Sequence, residues 1–228
     1  MVIPIYDNDP LDQNPYAFVT WTLIAINIVV FLIQLGASAD TELAMTRDFA
    51  LIPAALTGKV TLGNEWPPIL SVFTYMFLHA GWSHIIGNML FLWVFGDNIE
   101  DAMGHVRFIM FYLMCGIFAA VLHSWMNPTS DLPLIGASGA VAGVIAAYII
   151  LHPKVKVWVL ALWRIPIRIT AAWALGIWIA AQFGNLLFQS EESVAWWAHI
   201  GGLLAGATLI LFMRRRGVPL FDKTRGGA

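Results

Sequence analysis

Three short runs of the 228-residue chain carry residues that could do chemistry together. Ser138 stands in Gly136-Ala137-Ser138-Gly139, His199 stands in Ala198-His199-Ile200-Gly201-Gly202, and His84 precedes Asn88 by four residues. A serine hydroxyl is a weak nucleophile until a neighbouring base takes its proton, and histidine is the usual base near neutral pH. Ser138 falls at a helix start between glycines, where free backbone N–H groups can stabilise a developing oxyanion. His84 and Asn88 lie one helical turn apart on one face and offer further side-chain donors. Nucleophile, base and oxyanion pocket would make a Ser–His dyad, with no acid in evidence to orient the base.

Plainer readings compete at each position. A serine in a small-residue run serves helix packing, and a histidine inside a span can act as hydrogen-bond glue between helices. A metal site is rejected. His79 and His84 are five apart, which misses the i, i+4 spacing of helical zinc ligands, and no H-E-x-x-H run is present. The lone Cys115 has no intrachain partner and reads as a small core residue. The Trp and Phe residues read as interfacial or lipid-facing, with no cofactor box among them. Asp97, Glu100 and Asp101 end the second span and read as caps and anchors. His105, His123 and His152 fall near span ends, and Glu191 and Glu192 read as solvated.

The elements that must hold this cluster are membrane spans. Hydrophobic residues make up 59% of the chain and charged residues 11%, with 11 Trp and 14 Phe, and mean hydropathy is +0.74. Polar surface of that extent could not cover a soluble core, so a disordered chain, a coiled coil and a nucleic-acid-binding module are excluded. A net charge of −2 adds little, because the placement of the charges matters more than their sum. A span needs about 20 apolar residues, and six are read at 17–36, 84–103, 106–126, 137–151, 166–188 and 196–213. The fourth is short and small-residue-rich, as suits a helix inside a bundle.

Six spans put both ends and the second and fourth loops on one side. Those segments carry Arg107, Lys154, Lys156, Arg164, Arg168, Arg214, Arg215, Arg216, Lys223 and Arg225, against only Arg47 and Lys59 opposite. The bias places both termini in the cytoplasm. The acidic N-terminus lacks the basic region of a signal peptide, so the first span is expected to be retained. The long first loop, about 37–80, is expected to lie in the outer interface. With this topology His84, Asn88, Ser138 and His199 all fall at one level in the outer part of the membrane, where polar side chains need a reason.

The runs from His79 to Asn88, from Gly136 to Gly139 and from Ala198 to Gly206 together resemble the H-x-x-x-N, G-x-S-G and A-H-x-x-G-x-x-x-G motifs of the rhomboid family of intramembrane serine proteases. The resemblance covers nearly the whole chain, in order and on the expected spans. It implies Ser138 as nucleophile and His199 as general base and acid. It also implies an oxyanion hole of His84, Asn88 and the Ser138 N–H, with structural roles for His79, Glu100, Gly136, Gly139, Gly202 and Gly206. Two positions depart from patterns found in some members. Leu70 and Ser71 stand where a Trp-Arg pair would anchor the first loop, and Ala142 stands where a Tyr would pack against the catalytic His.

The reading is an all-α membrane protein, a six-helix rhomboid-like bundle with a long external first loop. It divides into a cytoplasmic segment 1–16, a catalytic domain 17–213 and a basic tail 214–228. The implied activity is hydrolysis of a peptide bond in or beside the transmembrane segment of single-span membrane proteins. No cofactor, metal or nucleic acid is expected, and membrane lipid surrounds the bundle. Span five and residues 189–195 are expected to form gate and lid, and the minimal core fits a bacterial inner membrane. The rival from another class is a non-proteolytic rhomboid-like protein that binds membrane clients, which would be expected to lack the Ser or the His. A small transporter would be expected to show internal repeats or a polar stripe through the full depth.

Overall fold

A computed structural model describes residues 2–7, 9–63, 66–161, 164–188 and 195–222. The chain begins with strand β1 (Val2–Asp7) and enters helix α1 (Phe18–Gly36). The first loop then holds helices α2 (Ala39–Phe49), α3 (Pro53–Leu56) and α4 (Ser71–Thr74), with 3-10 turns at Pro68–Leu70 and Tyr75–Phe77. Helices α5 (Trp82–Met103), α6 (His105–Met126) and α7 (Ser138–Leu151) follow, then strands β2 (Lys156–Ala161) and β3 (Ile165–Thr170), and finally helices α8 (Ala171–Phe188) and α9 (Trp196–Met213).

The helices begin where the spans are expected, except that residues 165–170 form β3 and the fifth apolar helix starts at Ala171. The all-α expectation is corrected accordingly. β1, β2 and β3 form an antiparallel sheet in that order, with Val2 opposite Ala161 and Lys156 opposite Thr170. Each strand is only six residues long, far below the window that detects a span. Lys223 and Arg225 of the tail, and residues 189–194 of the expected lid, lie outside the described residues.

α1, α6 and α9 are each long and apolar enough to cross a membrane. The segment Pro68–Phe77 with α5 qualifies as one span broken by an 81° bend, while α7 and Ala171–Gly184 are shorter apolar helices. α7 is the centre of the bundle, packed against α5, α6 and α9 and buried from Gly139 through Tyr148. At 14 residues it is about 21 Å long. Wrapped by longer neighbours, it has no need to match the hydrocarbon thickness.

Two polar anchors set the ends of the bundle. The fully buried Glu100 accepts from the amides of Val19 and Thr20, at 2.9 and 2.7 Å, and from the Thr20 hydroxyl at 2.7 Å. It thereby caps the start of α1, which has no side-chain cap of its own. His105 Nδ1 donates to it as well, at 2.5 Å. At the other end of α1, the Gln34 amide pairs with the backbone of His79, accepting from its N–H at 3.0 Å and donating to its C=O at 3.4 Å. His79 thus holds the loop against α1, and Glu100 is a buried hydrogen-bonding hub.

The first loop is largely helical and is pinned to the bundle. Leu51 and Leu134 exchange backbone hydrogen bonds of 3.1 and 2.8 Å. The buried Tyr75 donates its hydroxyl to the Gly116 carbonyl at 2.7 Å, and its own carbonyl takes the Gly136 N–H at 2.9 Å. Among the described residues the Ser71 hydroxyl bonds locally, to the Pro68 carbonyl at 2.6 Å. Tyr75 therefore supplies an anchor that Leu70 and Ser71 do not.

Candidate active site

Small residues bring α7 and α9 into backbone contact. A Cβ on Gly202 would stand 1.8 Å from the Gly139 carbonyl oxygen, and one on Gly206 would stand 2.2 Å from that of Gly143. On the α6 side, a Cβ on Gly139 would meet the Ala119 methyl at 2.5 Å, and one on Gly143 would meet the Cys115 sulfur at 2.4 Å. Such contacts are how helices approach closely in a membrane. They fix the spacing of the first turns of α7 and α9, which carry Ser138 and His199.

Across that spacing His199 Nε2 lies 2.9 Å from Ser138 Oγ. The other ring nitrogen, Nδ1, lies 2.7 Å from Oε1 of Gln182 on α8. The Gln182 amide is itself fixed, because its Nε2 donates to the Trp178 carbonyl at 3.2 Å and so turns Oε1 toward the ring. Nδ1 therefore carries the proton, and Nε2 is left to accept from the serine hydroxyl. Trp178 and Trp196 flank the imidazole at centroid distances of 6.0 and 5.9 Å.

Gly136 makes the turn into α7 with φ +115°, a conformation that disfavours any residue with a Cβ. Space demands glycine there too, since a Cβ would stand 2.5 Å from His84 Nε2 and 3.7 Å from Asn88 Nδ2. The Ala80 N–H donates to His84 Nδ1 at 3.4 Å, so the ring proton sits on Nε2 and faces this turn. Asn88 Nδ2 is buried and has no hydrogen-bond partner among the described residues. A buried donor left unmade costs about 1–3 kcal/mol. The first-turn amide of Ser138 joins these donors, because the start of a helix has no internal acceptor for it. The Gly136 turn, two residues before the serine, thus lies against both His84 and Asn88.

All of these side chains line one cavity of about 790 Å³, with Phe91, Val141, Ile145 and Trp178 as apolar walls. His123, Asn127 and Ser130 add a polar side. His84, Asn88, Ser138 and His199 all line this cavity, Gly136 packs on His84, and Gly139, Gly202 and Gly206 lie at the contact of α7 with α9. His79 lies beside it, its ring edge-on to His84 at 5.1 Å. Glu100, His105 and His152 lie elsewhere, His152 beside Asp9 and Asp222. Sequence reasoning missed Gln182. The signal was available, since a glutamine in an apolar span is a polar residue that needs a reason.

The family model of the Rhomboid domain matches residues 67–216. Among curated relatives, the chain is 28% identical over 160 residues to Rhomboid-like protein 11, chloroplastic, of Arabidopsis thaliana, covering 68% of this chain and 56% of that protein. It is 30% identical over 196 residues to the rhomboid protease GluP of Bacillus subtilis, covering 85% of this chain and 34% of that protein. With the rhomboid protease AarA of Providencia stuartii it shares 27% identity over 170 residues, covering 64% of this chain and 59% of that protein. The matched region thus spans between about a third and three-fifths of these relatives' length. Because the matched domain takes in well over half the chain, with apolar helices long enough to span a bilayer, this integral membrane protein belongs to the rhomboid family.

Proposed function

We propose that the protein is an intramembrane serine endopeptidase acting through a Ser138–His199 dyad. The observation that carries the reading is the 2.9 Å contact between His199 Nε2 and Ser138 Oγ, made between residues 61 positions apart on two helices. Ser138 Oγ attacks the scissile carbonyl carbon while Nε2 takes the hydroxyl proton, and the C=O electrons move onto oxygen. The oxyanion is met by the Ser138 N–H, His84 Nε2–H and Asn88 Nδ2–H. As the C–N bond breaks, the imidazolium returns its proton to the leaving amine. Water then adds to the acyl-serine ester with Nε2 as base, releasing the carboxylate and regenerating the hydroxyl.

In this reading residues 17–213 form a six-span catalytic unit with both ends on the arginine-rich, cytoplasmic side, and the cavity opens toward the external or periplasmic side of a bacterial inner membrane. Peptide hydrolysis needs water, and the polar wall of His123, Asn127 and Ser130 is where it would gather. The substrates are single-span membrane proteins, cut where the helix unwinds near the outer surface.

The test is cleavage of a tagged single-span substrate by purified protein in detergent and in liposomes. Ser138→Ala and His199→Ala are expected to lose about 10³-fold or more in rate while staying folded. Cleavage by Ser138→Ala at the wild-type rate would overturn the assignment. Tight capture of intact clients with no cleavage by any form would favour the client-binding rival.

A further inference from the structure

Strand β3 has an apolar face that the protein covers only in part. In the antiparallel pair of β2 with β3, Val157 stands opposite Ile169 and Val159 opposite Ile167. Residues directly opposite one another share a face of the sheet, and Ile165 joins them by alternation. Val157 and Val159 are fully buried in the main core, so this is the face that packs onto the helices. Along β3 that cover fails. Ile169 is half-buried against the core, Ile167 is 36% exposed and Ile165 is 55% exposed. The other face carries Trp158 opposite Arg168 and Lys156 opposite Thr170, with Lys156 and Arg168 exposed. β3 is thus an amphipathic strand whose apolar face overhangs the protein.

The position of β3 says what covers the overhang. The strand runs into α8 with no residue between them, and the Ala171 and Ala172 amides bond back to the Val155 and Pro153 carbonyls at 2.8 and 3.0 Å. α8 is apolar from its first residue, and Trp173, three residues past Thr170, is 70% exposed. On an integral membrane protein such a surface meets lipid, and tryptophan gathers where lipid meets water. β3 is therefore tied to the level at which the bilayer begins. A strand from a second copy suits the site poorly. β3 is the edge of its sheet, and proline and charge on an edge, here Pro166 and Arg168, discourage pairing with another strand. We infer that β3 lies on the membrane surface, with Ile165 and Ile167 sunk into the boundary between headgroups and acyl chains and the face of Lys156 and Arg168 turned to water. Amphipathic helices lie in the interface for the same reason. The inference rests on α8 entering the bilayer and stands apart from the protease reading.

The full-length protein would be placed in phosphatidylcholine nanodiscs, which leave both faces open to solvent, carrying Ile165→Cys, Ile167→Cys, Lys156→Cys or Arg168→Cys. Each cysteine is labelled with an environment-sensitive fluorophore, and Trp173→Cys is the lipid-facing reference. The native Cys115 is fully buried, so wild-type protein serves as the unlabelled blank. Two quenchers are compared, aqueous iodide and a lipid with a nitroxide about 5–10 Å below the headgroups. Labels at 165 and 167 are expected to match the reference, quenched by the nitroxide lipid and shielded from iodide. Labels at 156 and 168 are expected to show the reverse. Ile165→Cys, at the more exposed position, guards against misfolding at Ile167. Iodide quenching at 165 and 167 as strong as at 156 would overturn the inference. Shielding from both quenchers would mean that protein covers the strand, and would overturn it too. Iodide quenching at the Trp173 reference would do the same, by taking the start of α8 out of the bilayer.

Discussion

Gly202 lies so close to Gly139 that a Cβ on it would stand 1.8 Å from the Gly139 carbonyl oxygen. Gly139 follows Ser138, and His199 precedes Gly202 by one helical turn. The contact therefore sets the distance across which serine and imidazole meet. Gly202→Ala is expected to force α7 and α9 apart, lowering stability by about 1–3 kcal/mol, and to lower cleavage further than its stability loss explains. Gly176→Ala, where nothing lies within 4 Å, is the comparison and is expected to be neutral. Thermal unfolding and substrate cleavage read both variants.

Gln182 holds the His199 ring from a third helix, its Oε1 2.7 Å from Nδ1. Gln182→Leu keeps the volume but removes the acceptor for His199 Nδ1, leaving the imidazole free to turn or change tautomer. Turnover is expected to fall by about 10–100-fold with KM nearly unchanged, since only the chemical step needs the aligned base. Gln182→Glu retains an acceptor oxygen and is expected to recover part of the loss. An equal fall in both variants, tracking unfolding, would make Gln182 a packing residue only.

Much of this arrangement was legible in the sequence because spans are long and polar residues inside them are few. The ends of α1, α5, α6 and α9 fall within two residues of the hydropathy reading. Ser138, His199, His84 and Asn88 stood out because each is polar in an apolar run. The sheet did not, because a strand such as Lys156–Ala161 is six residues long and Ile165–Thr170 merges with the apolar run of α8. Gln182 is polar in an apolar run too, but with no motif around it the sequence does not say what it would bond. Its meaning depends on α8 lying beside α9, and no spacing along the chain records that. Tyr75 is similar, because only the fold brings its carbonyl to Gly136.

Glu100 serves the fold at a distance from the cavity. It stands 12 residues beyond Asn88 on α5, about 18 Å along the helix. Glu100→Gln keeps the size but replaces one of two acceptor oxygens with a donor, facing amides that also donate. It is expected to cost about 2–4 kcal/mol of stability through the start of α1. The cleavage rate well below the unfolding temperature is expected to be unchanged. A loss of turnover in fully folded protein would assign Glu100 a role in the site.

The N-terminal strand is held by a group that titrates near neutrality. Burial raises the Asp7 carboxyl from 3.8 to about 6, opposed by its bond from the Tyr148 hydroxyl, 2.5 Å long. A raised value means that the protonated form is favoured in the folded state. The attachment is therefore strongest below 3.8 and weakens as pH rises through about 6. Hydrogen exchange in β1, corrected for intrinsic rates, is expected to show less protection at neutral pH than at mildly acidic pH. Asp7→Asn is expected to abolish that difference.

The account rests on Ser138 as an activated nucleophile. The most direct measurement is to treat the folded protein with a fluorophosphonate that reacts with activated serines, and to locate the adduct by peptide mass spectrometry. A single adduct on Ser138, lost in His199→Ala, is the predicted result. An adduct on another serine, or undiminished labelling of Ser138 without His199, would contradict it.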